Sequence, residues 1–192
     1  EADLKINDFL KDYFQKKTPD FGWISEESSD DGSRLNSEYF WCLDPIDGTR
    51  SFIQNKPEYT ISLALYKKFI PYIGLILNPE TKEFFFAKKN FGAFCNDKKI
   101  FVNKKKEIED CLFAISHSEI NKLLKFNFIQ NKNIRPLGSI AYKIALVAKG
   151  EIDVALSFTK KNDWDFAAAS VIVEEAGAAE AEAAADAAAA EA

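Results

Sequence analysis

The stretch 39–52, YFWCLDPIDGTRSF, constrains the fold more than any other, because an apolar run suited to a buried strand is interrupted by a proline set between two aspartates. Pro45 has no N–H to give to a ladder, so the sequence predicts that pairing stops there and that Asp44 stands at the strand's end. Asp47 follows across a tight turn. Gly48 lets the backbone approach a ligand closely, and Gly48-Thr49 is expected to open a short helix through Phe52-Ile53. Free N–H groups at such a start suit phosphate oxygens, and Thr49 adds a hydroxyl able to orient a water. Magnesium takes oxygen ligands at roughly 2.0–2.1 Å in near-octahedral array and keeps several waters, so a few carboxylates from a rigid turn suit it better than a full protein cage. Asp44 and Asp47 are therefore candidates to share ions, against the plainer reading of an Asx-rich surface turn. Apolar residues on both sides speak against simple solvent exposure.

With 192 residues, 47% of them hydrophobic, the chain can bury a sizeable core as one domain, with two packed halves as a variant of that plan. A net charge of -5 offers no general attraction for a nucleic-acid polymer or an anionic membrane. An anionic substrate then needs local positive charge, which metal ions provide. Cys42, Cys95 and Cys111 are odd in number and widely spaced, so neither a zinc site nor a disulfide framework is indicated, and a reducing cytoplasm fits them best. No apolar run reaches the roughly 18 residues of a membrane span, and no signal peptide is visible. The chain has no methionine, which implies a start that is processed, truncated or incomplete.

In chain order, residues 2–17 carry Leu4, Ile6, Phe9, Leu10, Tyr13 and Phe14 largely on one helical face. Trp23-Ile24 reads as a short strand running into Ser25-Glu26-Glu27-Ser28, where only one of two adjacent glutamates can face a site. Asp30-Asp31-Gly32-Ser33 reads as a solvated loop. Strand-like runs at 59–66, 70–77, 83–87, 91–95 and 99–102 predict an antiparallel meander, followed by a solubilising loop at Lys104-Lys105-Lys106. Residues 111–116 suggest a further strand and 119–127 a helix. His117, the only histidine, has no fixed partner in the pattern and takes no part in the expected mechanism. Gly138-Ser139 opens a helix that Gly150 is placed to stop, and such a helix start can hold polar ligand groups. A strand is expected at 152–158. Asp163-Trp164-Asp165 then precedes a small-residue helix running to Glu175-Ala176-Gly177, with N-capping as the plain role of its aspartates. The domain is set at 1–177. From 178 to 192 the sequence collapses into alanine with interspersed acids, a low-complexity tail that is helical at most or stands for side chains of undetermined identity.

Four of these stretches, in order, resemble the inositol monophosphatase family of metal-dependent, often lithium-sensitive phosphatases. Residues 41–52, WCLDPIDGTRSF, look like its signature, and Trp23 to Ser28 resembles its Gly-Glu-Glu element with Ser25 in place of glycine. Asp163 to Ala168 with Glu175-Ala176-Gly177 resembles its second signature, and Ala2-Asp3 looks like the end of its Thr-x-x-Asp element. The resemblance implies an α/β (α+β) layered sandwich, of the inositol monophosphatase/fructose-1,6-bisphosphatase kind, with family segments lacking at both ends. It also implies the site. Glu26, Asp44 and the Ile46 carbonyl hold one Mg²⁺, Asp44, Asp47 and Asp165 a second, and Glu26 reaches a weaker third ion through water. Thr49 with Asp3 orients the attacking water, and Gly48 and Thr49 amides bind phosphate. Asp47, Gly138, Ser139 and Asp165 join Gly48 and Thr49 as expected contacts of a small phosphorylated substrate. Family members often dimerise, but the sequence carries no sign of its own for an interface.

The basic Arg50, the Ser25–Leu35 run and the Asp163-Trp164-Asp165 triplet look most like bacterial 3'(2'),5'-bisphosphate nucleotidases, with Lys143, Lys160 and Lys161 available to meet a second phosphate. Inositol 1-phosphate and histidinol phosphate are the alternative substrates. A noncatalytic metal- or phosphate-binding relative, or a scaffold whose acids only cap helices, is the alternative of another class.

Overall fold

A computed structural model describes residues 1–105, 107–126 and 129–177, and the backbone of 178. Lys106, Asn127 and residues 179–192, where parts of the lysine loop, the 119–127 helix and the alanine tail were expected, lie outside the described residues. The chain opens with helix α1 (Ala2–Lys17) and strand β1 (Gly22–Ser25), then a short 3₁₀ turn at Ser33–Asn36. Strand β2 (Tyr39–Asp47), helix α2 (Thr49–Ile53) and strands β3 (Thr60–Lys67), β4 (Ile70–Asn78), β5 (Glu83–Lys88), β6 (Gly92–Cys95) and β7 (Lys98–Lys99) follow. These seven strands form one sheet in sequence order, in which only β1 and β2 run parallel. The expected meander is there, except that 100–102 leaves the sheet.

The second half builds a three-stranded parallel sheet in the order β10-β8-β9, from β8 (Phe113–Ile115), β9 (Ile134–Pro136) and β10 (Val154–Ala155). Helices α3 (Ile120–Leu123), α4 (Ile140–Ala148) and α5 (Asp163–Val173) complete it. Two elements are shorter than their sequence suggested. The helix foreseen at 119–127 is one turn plus a 3₁₀ start, and the strand foreseen at 152–158 pairs only at two residues. Strand β9 had no periodic signal to announce it.

Layering explains the composition of β2, which is buried at every position from Phe40 to Asp47. Trp41 and Leu43 face one side, packing with Trp23, Leu63 and Leu65 beneath Leu10 and Phe14 of α1. Phe40 and Cys42 face the other, in the core shared with α4 and α5. A strand covered on both faces reads as a continuous apolar run, and a fully enclosed Leu43 contributes roughly 1.5–3 kcal/mol of transfer free energy. The alanines of α5 let it sit very close to the sheet: a Cβ at Gly74 would lie 2.2 Å from the Ala168 carbonyl oxygen. Helices α4 and α5 thus lie between the two sheets, while α3 covers the far face of the small one through Leu123, Phe113 and Ile115. The result is the expected layered sandwich.

Candidate metal centre

The structure corrects the expectation that pairing ends at Pro45. Strand β2 runs through the proline as an irregularity, with Asp44 opposite Ser62 and Asp47 opposite Thr60 on β3. Three residues on β2 therefore answer to two on β3, the count of a β-bulge. In a regular strand, positions three apart face opposite sides. The extra residue brings Asp44 and Asp47 to the same side, and Pro45, with no N–H to offer, fits a position where the ladder is broken.

Asp165, three residues into the α5 region, meets them from the neighbouring layer. One carboxylate oxygen from each of Asp44, Asp47 and Asp165 lies within 4.8 Å of the others. Asp165 also caps its helix, taking the Asn162 N–H at 2.5 Å on Oδ2, so the capping role read from the sequence and the site role coexist in one side chain. Burial, followed by the charges of Asp47, Glu26 and Asp165, pushes the Asp44 carboxyl up to about 9. Burial likewise pushes Asp47 to about 6, against hydrogen bonds from Ser139 and Ala141 that favour its charged form. Glu26 comes in beside them from the end of β1, its N–H held by the Leu43 carbonyl at 3.2 Å. Desolvation raises its carboxyl too, opposed by a hydrogen bond with Asp44.

The turn after β2 is built around close approaches. Gly48 has φ +93°, and a Cβ there would stand 2.7 Å from the Glu58 carbonyl oxygen. Helix α2 starts at Thr49 as expected, and the Thr49 hydroxyl donates to the Ile46 carbonyl at 3.1 Å, while the Ile46 N–H donates to Asp44 Oδ1 at 3.0 Å. The start of α4 grips Asp47. The Ser139 hydroxyl and the Ala141 N–H, at 2.6 Å, both donate to Asp47 Oδ2, and Ser139 Oγ also accepts the Tyr142 N–H as the N-cap of α4.

These groups open on a cavity of about 570 Å³, lined by Glu26, Asp44, Ile46, Asp47, Gly48, Thr49, Gly138 and Asp165 among the sequence candidates. Ser139 is fully buried behind the lining, where it holds Asp47. Asp3 is also outside the lining. Its Oδ1 accepts from the Glu1 ammonium at 2.8 Å and the Leu4 N–H at 2.9 Å. Of the candidate cations, Arg50 and Lys161 line the cavity and Lys160 does not. Lys143 does not meet it either, being fully enclosed in α4, and burial pulls its ammonium down to about 8. The opposite wall, with Ser116, His117, Glu119 and Thr159, was not read from the sequence. His117, set aside at first, stands there with Nε2 3.5 Å from Glu58 Oε2. Ser116, His117 and Glu119 share one short polar turn and Thr159 lies far along the chain, so no spacing pattern links them.

The residues fit a hard divalent cation. Among the described residues, none of Asp44, Asp47 and Asp165 forms an ion pair, although two of the three are buried and all crowd together. Buried like charges are costly unless paired or bound to metal, and an all-oxygen donor set suits magnesium.

A model of the inositol monophosphatase family matches residues 1–186. A putative Nus factor SuhB of Neisseria meningitidis serogroup A is 32% identical over 185 residues, covering 92% of this chain and 70% of that protein. A fructose-1,6-bisphosphatase/inositol-1-monophosphatase of Thermotoga maritima is also 32% identical, covering 92% of this chain and 68% of its own length. Among solved structures, extragenic suppressor protein SuhB of Bartonella henselae matches with a TM-score of 0.83 at 31% identity, over 92% of this chain and 70% of that one.

Proposed function

The chain belongs to the inositol monophosphatase family of phosphoric monoester hydrolases, and on that premise we propose that its cavity hydrolyses a phosphate monoester with Mg²⁺. The observation that carries this reading is the set of three carboxylates, Asp44, Asp47 and Asp165, converging on one cavity without an ion pair among the described residues. Glu26, Asp44 and the Ile46 carbonyl would hold one ion and Asp44, Asp47 and Asp165 a second, with Glu26 as the candidate for a third. Ions held there would supply charge neutralisation of the phosphate dianion, acidification of a bound water and stabilisation of the departing alkoxide, a need set by unaided hydrolysis slow enough that accelerations approach about 10²¹.

The chain's own residues supply position. The amides of Gly48 and Thr49 are assigned to phosphate oxygens, at a turn whose φ of +93° and close approach to the Glu58 carbonyl and Ser139 require the glycine. The Thr49 hydroxyl spends its proton on the Ile46 carbonyl, so it meets a water as an acceptor, and Asp3 is assigned as the second group orienting that water. Ser139 and the Ala141 N–H keep Asp47 aimed and charged.

For the substrate, Arg50, Lys56 and Lys161 on the same cavity favour a molecule with a second anionic group, a 3'-phosphoadenosine 5'-phosphate type nucleotide. Inositol 1-phosphate is the second reading, favoured by relatives such as the inositol-1-monophosphatase of Rhizobium meliloti at 27% identity. We place the protein in the cytoplasm, in keeping with three free buried cysteines; among the described residues no helix is long and apolar enough to cross a membrane. Phosphate release from the bisphosphate nucleotide, inositol 1-phosphate and histidinol phosphate, measured side by side with and without Mg²⁺, tests the proposal. Mg²⁺-dependent release, fastest from the nucleotide, is expected. Calorimetric binding of Mg²⁺ and phosphate without any turnover would instead identify a noncatalytic relative.

A further inference from the structure

Lys143 is an enclosed ammonium that the proposed chemistry does not use, and its place is unusual. It lies one helical turn after Ser139, so the two side chains leave α4 on the same face. Ser139 holds Asp47 of the carboxylate cluster, whereas Lys143 Nζ donates to Ser116 Oγ and to the Leu156 carbonyl, both at 3.1 Å. Those two acceptors lie at the point where β8 and the segment after β10 separate. Below it, the Leu156 N–H still donates to the Ala114 carbonyl at 2.9 Å. Beyond it, both segments run into the cavity lining, which includes Ser116, Glu119, Thr159 and Lys161 beside the carboxylates. A second, partly buried link joins the two segments further along, where the Glu119 carboxylate accepts the Phe158 N–H at 2.8 Å.

We infer that Lys143 is a positioning residue for substrate, fixing the Ser116–Glu119 turn and the 156–161 segment at a set distance from Asp47. Helix α4 then serves both walls of the cavity. Its first turn holds a carboxylate, and its second holds the surface against which the organic part of a phosphate ester rests. A neutral apolar side chain can fill the same volume but cannot tie two diverging segments, and it leaves the Leu156 carbonyl and the Ser116 hydroxyl without this donor. The role bears on how the ester is bound, not on the ions. The inference rests on the phosphatase reading of the cavity for its kinetic part only.

Lys143→Met, Ser116→Ala and the double variant test it in the full chain, with the best substrate of the wild type. Lys143→Met is expected to raise KM about tenfold while kcat stays within about threefold and the half-saturating Mg²⁺ concentration within about twofold. Ser116→Ala raises KM by a smaller factor and adds nothing to Lys143→Met, because both cut the same tie. Backbone hydrogen exchange at 113–119 and 154–159 accelerates in Lys143→Met while β3 and α5 keep wild-type protection. An unchanged KM with unchanged exchange overturns the inference, as does a loss confined to kcat or Mg²⁺ affinity. If Lys143→Met loses protection throughout, Ser116→Ala decides, and a wild-type KM in it counts against the inference. If the wild type itself releases no phosphate, the phosphatase reading fails, and exchange alone judges the anchoring.

Discussion

At Asp47 one carboxylate oxygen accepts both the Ser139 hydroxyl and the Ala141 N–H, while the side chain as a whole stands among Asp44 and Asp165. Donors on one oxygen fix the orientation of the group and leave the other free for a cation. Asp47→Asn keeps an acceptor oxygen for those donors but removes the charge, so the fold should persist and turnover should not. We expect loss of activity by about 10³-fold or more, since a metal ligand is asked for several kcal/mol of transition-state stabilisation. Wild-type circular dichroism with undetectable Mg²⁺-dependent phosphate release is the predicted outcome, and substantial residual turnover would refute the assignment. The identity of this residue was legible in the sequence from its neighbours Pro45 and Gly48. Its holder, Ser139, lies 92 positions away, and no local pattern links the two.

Strand β2 and its bulge do at the scale of an element what no single residue can. The bulge aligns two aspartates, and Gly48 then turns the chain directly into α2 with a left-handed backbone. Gly48→Ala places a methyl 2.7 Å from the Glu58 carbonyl oxygen and demands φ +93° of an L-residue. A cost of about 1–3 kcal/mol follows, or roughly 2–10 °C in melting temperature for a domain of this size. Turnover should fall by about a hundredfold through displacement of the amides proposed to bind phosphate. Calorimetry and phosphate release measured on one preparation check both; an unaltered melting temperature would show that the turn tolerates the side chain. The sequence announced this strand and this turn, because continuous apolar residues, Pro and Gly are local signals. It misjudged the end of the strand, since whether a proline stops a ladder or sits in a bulge depends on what the partner strand β3 offers.

Across the whole molecule, the carboxylate cluster should link pH, the proposed cation and stability. Burial, with the neighbouring carboxylates, pushes Asp47 up to about 6 and Asp44 up to about 9 from their ordinary value near 3.8 when no cation is bound. Groups with raised folded pKa values contribute stability that is fully present below the ordinary pKa and is lost as pH rises through the folded values. The metal-free protein should therefore melt at progressively lower temperature as pH rises through about 6 toward about 9. Saturating Mg²⁺ should remove most of that slope and, at a hundred times its Kd, add about 2.7 kcal/mol. Differential scanning calorimetry from pH 5 to 9, with chelator and with Mg²⁺, checks this, and parallel slopes in the two series would sink the idea that the cluster binds the ion. The sequence by itself determined the first helix, most of the antiparallel meander, the buried β2, the Gly48 turn and the acidic residues, because each is written in neighbouring residues through period, backbone freedom and charge. Tertiary structure alone decided the same-side alignment of Asp44 with Asp47, the grip of Ser139 on Asp47, the enclosure of Lys143 and the wall of Ser116, Glu119 and Thr159. Those depend on contacts between segments tens of residues apart, where layer packing, and no local periodicity, sets which groups meet.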